Sequence, residues 1–236
     1  MKAVILAGGK GTRLAPYTTV FPKPMMPVGD IPILEVVIRQ LSAAGFTDIT
    51  LAVGHLAELL MAYFGDGSKL GVCLRYAREE MPLGTAGPLA TIPGLDEPFL
   101  VMNGDLLTTL DYRELLSYHR AHGALATIAT HERTVKIDYG VVEADADNRL
   151  VAYTEKPQLY YRVSMGIYIF EPDVIALLEP GRRFDFPDLV NLLLARGCPV
   201  RSYPFSGYWL DIGRPDDYQQ AIDEFERMRD QFLRGA

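Results

Sequence analysis

Apolar residues along the chain fall into short runs that alternate with helical stripes. Residues 2–7 form a continuous apolar run behind one lysine, stopped by Gly8 and Gly9, the pattern of a fully buried strand. Between residues 32 and 45, Leu34, Val37, Ile38 and Leu41 fall at i, i+3, i+4 and i+7, which lines one face of a helix that Gly45 ends. The alternation continues with a strand at 49–53, a helix at about 56–64 and an alternating strand at Val72, Leu74 and Tyr76. A short helix after Thr85 and a strand at 99–102 follow. Asp111 with Glu114 three positions on predicts a capping box for a helix running toward Gly123, and 124–130 reads as the next strand. This is the rhythm of an α/β chain, and the first ~130 residues predict a doubly wound sheet.

After Asp138 the rhythm changes to strand, Asp-Asn turn, strand, with apolar positions at 139–143 and 150–155 around a turn at 145–148. A hairpin replaces the crossover helix. A strand at 162–170, a helix at 186–196 and a strand at 208–212 follow. The last helix opens on Pro215, Asp216 and Asp217, as helix N-termini prefer, and would bury Tyr218, Ile222 and Phe225. No repeat, linker or low-complexity segment divides the chain, so a single domain over 1–236 is expected.

With 236 residues, 49% of them hydrophobic, the chain can bury a core without staples. A net charge of −7 with scattered Lys and Arg argues against a nucleic-acid-binding face, although a local site could still hold phosphates. No apolar stretch nears the ~18 residues of a membrane span, and the glycines after Ala7 interrupt the opening run too early for a signal peptide. Cys73 and Cys198 lie far apart without metal-finger spacing, so no disulfide framework or zinc site is suggested and a cytoplasmic setting is expected.

Candidate chemistry begins at the glycine loop that leaves the first strand, from Leu6 through Ala7, Gly8, Gly9, Gly11 and Thr12 to Arg13. Glycines let backbone N–H groups approach phosphate oxygens, and successive N–H groups form an anion-binding nest. The dinucleotide fingerprint fails because Leu14 stands at its third glycine, and no GK[ST] follows as in a P-loop. Lys23 stands between Pro22 and Pro24, which would present its amine from a stiff platform. Taken alone, this segment reads equally well as a tight turn with solvated cations.

The segments GGKGTRL from Gly8, FPKPMMPVGD from Phe21, EEMPLGTAGPL from Glu79, NGD at Asn103, EKP at Glu155 and GYWLDIGRPDDY from Gly207 occur in one order along most of the chain. Together they resemble the sugar-1-phosphate nucleotidylyltransferases, or nucleoside-diphosphate-sugar pyrophosphorylases. The resemblance implies a Rossmann-like, GT-A-like mixed sheet flanked by helices, with a small hairpin-containing sugar-binding lobe. Residues 1–135 would be mainly nucleotide-binding, 136–214 mainly sugar-phosphate-binding, and 215–236 the C-terminal helix. PLGTAGPL and YWLDIGRP look most like mannose-1-phosphate and compact heptose-1-phosphate guanylyltransferases. Larger mannose-1-phosphate enzymes continue into a left-handed β-helix, whereas this sequence stops one helix beyond Asp211, which favours the compact kind and leaves the sugar open.

The implied partners are a nucleoside triphosphate and a sugar 1-phosphate, and a homo-oligomer is compatible with the family. A sugar-phosphate oxygen would attack the α-phosphorus in line and release pyrophosphate. With a second phosphate pKa near ~6 the nucleophile is already ionised, so the difficulty is electrostatic. Mg2+ takes one or two carboxylates plus substrate phosphates, and Asp105 and Asp211 suit that role. Arg13 would meet the departing phosphates and Lys23 the α-phosphate. The nucleotide would contact the glycine loop, Arg13, Lys23, Glu79, Pro82, Gly84 and Asp105. The sugar phosphate would contact Tyr139, Gly140, Glu155, Lys156 and Ser164.

A carboxylate accepts from guanine's adjacent N1–H and N2–H, so Glu79 or Glu80 tilts the base toward GTP. The alternatives are UTP, dTTP or CTP with a hexose 1-phosphate, or a non-catalytic nucleotide-sugar-binding subunit. An oxidoreductase would have no use for Asp211 or EKP. His55, His119, His122 and His131 lack metal spacing and read as structural, with His119 and His122 on a helix end where surface placement is ordinary. Met25 and Met26 read as core, and Trp209 as packing beneath Asp211.

Overall fold

The computed structural model describes residues 1–79 and 81–234. The first unit runs β1 (Lys2–Leu6), β2 (Pro27–Val28), β3 (Ile31–Pro32), α1 (Ile33–Ala43), β4 (Asp48–Val53), α2 (Ala57–Phe64), β5 (Cys73–Arg78) and β6 (Phe99–Asn103). It continues through β7 (Leu106–Thr108), α3 (Tyr112–Ala121) and β8 (Ala126–Lys136). The rest is β9 (Val141–Ala144), β10 (Leu150–Thr154), β11 (Gln158–Phe170), α4 (Phe186–Ala195), β12 (Val200–Phe205), β13 (Trp209–Asp211) and α5 (Pro215–Phe232). No helix among the described residues is long and apolar enough to cross a membrane.

A seven-stranded sheet carries the fold in the order β12-β8-β11-β6-β1-β4-β5. β6, β1, β4 and β5 are mutually parallel, the doubly wound part. β11 runs antiparallel between β6 and β8. The sheet is therefore mixed, and a strand from the second half of the chain lies inside it. The parallel crossovers leave β1 toward β4 on one side and return to β6 on the other, so the crevice beyond Leu6 and Asn103 is a topological switch point.

Side-chain alternation along β1 sets the layers. Ala3 and Ile5 face α1, α2 and α3 through Leu34, Val37, Leu60 and Leu115. Val4 faces the other side, with Phe99, Phe170 and Leu189 of α4. A third cluster packs Phe225 and Phe232 of α5 on Leu14, Val28, Ile33, Leu107 and Ile212. Burying each such side chain contributes roughly 1.5–3 kcal/mol, so α5 holds the strands near the crevice in place rather than decorating them.

Three local expectations change. The helix after Thr85 is a 3-10 helix, Gly87–Thr91. Asp111 accepts from the N–H groups of Arg113 at 2.8 Å and Glu114 at 3.4 Å, which is one half of the expected box. β8 and β11 run well beyond the expected bounds, pairing from Lys136 with Gln158 as a two-stranded ribbon that leaves the sheet. The expected hairpin is β9 paired antiparallel with β10. Its turn closes where Asp145 Oδ1 accepts from Asp147 and Arg149, both at 2.9 Å.

Candidate functional site

A cavity of about 770 Å³ opens at the switch point. Leu6, Ala7, Gly8, Gly9, Gly11, Thr12, Arg13, Lys23, Glu79, Pro82, Gly84 and Asp105 all border it, so the structure brings the twelve expected nucleotide residues together. Gly11 explains how the loop reaches Lys23. It has φ +61°, and a Cβ there would lie 2.9 Å from Thr18 Cγ2 and 3.1 Å from Lys23 Cβ. Thr18 Oγ1 donates to Gly11 O at 2.8 Å and locks the contact.

Asp105 and Asp211 come together through a pairing the sequence reading missed. β7 and β13 run antiparallel with Asp211 opposite Leu106, and Ile212 N–H donates to Asp105 O at 3.3 Å. Lys23 Nζ forms an ion pair with Asp105 Oδ2, with both side chains largely buried. Asp105 Oδ1 is buried with no partner among the described residues. Burial raises the Asp211 carboxyl above its ordinary value, the Asp105 charge adds to the rise, and Lys23 and Arg13 oppose it. Arg13 itself lies against Gly213, where a Cβ would be 3.3 Å from its Nη1.

Two adjacent carboxylates, one with an orphaned oxygen, form a donor set that fits a hard divalent ion. Among the described residues no group of three or more His, Cys, Asp or Glu forms a complete cage. An ion there would need its other ligands from water or substrate phosphates, as magnesium usually takes them.

Glu79 is more engaged than the sequence implied. Its N–H donates to Val53 O at 2.9 Å, and its Oε2 accepts from Leu83 N–H at 2.9 Å. Oε1 faces the glycine loop, 2.9 Å from where a Gly8 Cβ would stand. Burial pushes its carboxyl up, and the Leu83 N–H opposes this. Glu80 lies outside the described residues. Sequence reasoning passed over His55, which borders the cavity and donates its backbone N–H to Gly8 O at 3.3 Å. Thr85 and Asn103 also border it. The Thr85 N–H donates to Asp185 Oδ1 at 2.9 Å, which anchors the Gly84 turn to the start of α4.

The expected sugar-phosphate residues do not border this cavity. Tyr139 is 79% exposed beside the β9–β10 hairpin, and Glu155 and Lys156 stand at its exit, Lys156 with φ +45°. Gly140 is covered by the ring of Tyr153. Ser164 sits at the register shift of β11, where its Oγ donates to Tyr168 Oη at 3.1 Å and accepts from Gly166 N–H at 3.3 Å. Gly166, with φ +71°, touches Asn103, since a Cβ there would fall 2.6 Å from Asn103 Nδ2. The bulge thus links the lobe to the cavity wall.

Trp209 donates Nε1–H to Met165 O at 3.1 Å, a packing role beside Asp211. Met26 is core, with Met25 packed at its edge. His131 Nε2 lies 3.0 Å from Gly207 O, and His122 Nδ1 lies 2.8 Å from Tyr118 O. His119 corrects the expectation of a surface position: it is fully buried, with Nδ1 2.8 Å from Thr127 Oγ1 and Nε2 3.2 Å from Glu171 Oε1. The burial arises because His119 continues the inward stripe of α3.

The family model described as nucleotidyl transferase matches residues 2–227. A UTP--glucose-1-phosphate uridylyltransferase of Synechocystis is 39% identical, over 94% of this chain and 62% of its own length. A mannose-1-phosphate guanylyltransferase of Mycobacterium tuberculosis is 36% identical, over 95% of this chain and 64% of its own. The chain thus spans somewhat under two thirds of the length of these relatives. The crystal structure of HddC from Yersinia pseudotuberculosis complexed with GMP-PN aligns at TM-score 0.72 and 26% identity, covering 95% of this chain and 99% of that one.

Proposed function

We propose, from the premise that the chain belongs to the nucleotidyl transferase family, that it transfers a nucleotidyl group from a nucleoside triphosphate to a sugar 1-phosphate and releases pyrophosphate. The observation that carries this is the meeting of Asp105, Asp211, Lys23 and Arg13 beside the glycine-loop cavity. Two polyanions must be held together while charge builds on the leaving group, and fixed charges in a partly buried site do this without reorganising.

In this reading the glycine loop binds the triphosphate through backbone N–H groups. Lys23 neutralises charge at the α-phosphate and Arg13 charge on the leaving pyrophosphate. Asp105 and Asp211 would hold Mg2+, which would supply charge compensation for the substrate phosphates. Glu155 receives sugar hydroxyls, Lys156 the sugar's phosphate, and Tyr139 and Ser164 complete that side, with Gly140 packed beneath the Tyr153 ring. The sugar-phosphate oxygen then attacks the α-phosphorus in line, and the bond to the leaving pyrophosphate breaks as the new one forms. The free thiols of Cys73 and Cys198 support a reducing, cytoplasmic setting.

For the substrates we favour GTP with mannose 1-phosphate or a related manno-configured sugar. The guanylyltransferase among the relatives and the GMP-PN held by the structural neighbour support this, as does an acceptor-only carboxylate in the cavity wall. The uridylyltransferase relative supports a second reading, UTP with glucose 1-phosphate. Pyrophosphate release measured over a matrix of triphosphates and sugar 1-phosphates, with Mg2+, tests both. GTP with mannose 1-phosphate is expected to give the highest kcat/KM. A clear UTP or dTTP preference removes the base assignment, and no release from any pair refutes the transferase reading in favour of a binding subunit.

A further inference from the structure

Gly140, Tyr153 and Glu155 form one contact chain across the β9–β10 hairpin. The Tyr153 hydroxyl donates to Glu155 Oε2 at 2.8 Å. The tip of the same ring lies on the Gly140 backbone: a Cβ at 140 would stand 2.1 Å from Tyr153 Oη and 2.5 Å from Cζ, so no larger residue fits unless the ring moves. The backbone beyond is also fixed. Lys156 takes φ +45°, and Ile137 N–H donates to Pro157 O at 3.1 Å, which ties the corner to the end of β8. Main chain and side chain of Glu155 are thereby held from two directions.

We propose that Tyr153 is a positioning residue, holding the Glu155 carboxylate in one rotamer so that Oε1 is presented to a hydroxyl of a polyhydroxylated ring, with Gly140 leaving the space the phenol needs. The proposal rests on Glu155 meeting the sugar in the reaction above. A solvated glutamate loses side-chain rotamer freedom when it is fixed. A donor that fixes one oxygen beforehand removes part of that loss from the binding step. Gly140 accordingly acts through Tyr153, and the sugar meets a side chain at this corner rather than bare backbone.

The test is steady-state kinetics of the full chain with each substrate varied in turn, for wild type, Tyr153→Phe, Gly140→Ala, Glu155→Ala and the double variant Tyr153→Phe/Glu155→Ala. Tyr153→Phe keeps the ring and removes the donor. Gly140→Ala keeps the donor and displaces it, at a backbone position outside the left-handed region. Losing the hold is expected to raise KM for the sugar 1-phosphate roughly fivefold in either variant, leaving kcat and the triphosphate KM within about twofold. In the Glu155→Ala background Tyr153→Phe is expected to add nothing.

An unchanged sugar-phosphate KM in both Tyr153→Phe and Gly140→Ala overturns the proposal. So does an equal effect of Tyr153→Phe with and without Glu155, which marks a structural role. A wild type that releases no pyrophosphate with any substrate pair overturns the transferase reading and this inference with it. That result is distinct from an active wild type whose variants match it.

Discussion

Replacing His119 by leucine removes both ring nitrogens from a closed interior while keeping most of the volume. His119 Nδ1 meets Thr127 Oγ1 at 2.8 Å, and Thr127 is fully buried, so its hydroxyl has no solvent to turn to. Leaving such a group unpaired costs about 1–3 kcal/mol. Glu171, a third exposed, can turn to water and adds little. A loss of about 2 kcal/mol near neutral pH is therefore expected, a fall in Tm of roughly 4–8 °C for a domain of this size.

The pH dependence carries the sharper content. Burial lowers the His119 pKa below 6.5 and Arg120 adds to this, while the Glu171 hydrogen bond and charge oppose it. The folded ring stays neutral where the unfolded ring takes a proton, so wild type loses stability as pH falls through 6.5. The loss proceeds at up to about 1.4 kcal/mol per pH unit and ends below the folded pKa. The variant lacks this term. Urea unfolding of both proteins, compared at about one pH unit above and one below the free histidine value, should show the destabilisation shrinking on the acid side. A difference that grows in acid would refute the reasoning, because it would mean a protonated ring paired with Glu171 in the fold.

Asp105→Asn and Asp211→Asn should each lower turnover by about 10²-fold or more and abolish stabilisation by magnesium, which for wild type at a hundredfold excess over Kd is about 2.7 kcal/mol. A thermal shift with magnesium that survives in either variant removes that carboxylate from the ion's ligands. Gly11→Ala combines a positive φ with a Cβ 2.9 Å from Thr18 Cγ2 and should cost about 1–2 kcal/mol in urea unfolding, with a larger loss of kcat than of triphosphate affinity as Lys23 is displaced. Wild-type stability and kcat in that variant would show that the loop tolerates the shift.

Hydrophobic spacing alone located the parallel half of the sheet, because β1 and β4 are buried on both faces and α1 carries a full inward stripe. The ribbon ends of β8 and β11 leave little trace in the sequence, since residues 132–136 are exposed and carry little alternation. β12 reads poorly because Pro204 interrupts it, which an edge strand tolerates. The His119 signal was present: Tyr112, Leu115, Leu116 and His119 fall at i, i+3, i+4 and i+7. Motif order assembled the residues of the cavity, but the meeting of Asp105 and Asp211 depends on β7 and β13, three residues each and a hundred positions apart. No local pattern encodes a pairing of that kind. The Tyr153 contact was equally hidden, because spacing does not report which side chain covers a glycine.

The β7–β13 ladder also sets an order of events during synthesis. Once residues through Phe170 have left the ribosome, six of the seven strands, β8-β11-β6-β1-β4-β5, are available as one contiguous sheet, and the glycine loop and Asp105 are already on it. Asp211 arrives some forty residues later, on one of the last strands. A nascent chain can thus complete most of its sheet while its second carboxylate is still being translated, and the pair forms only when β13 docks on β7 and α5 closes over Leu107 and Ile212.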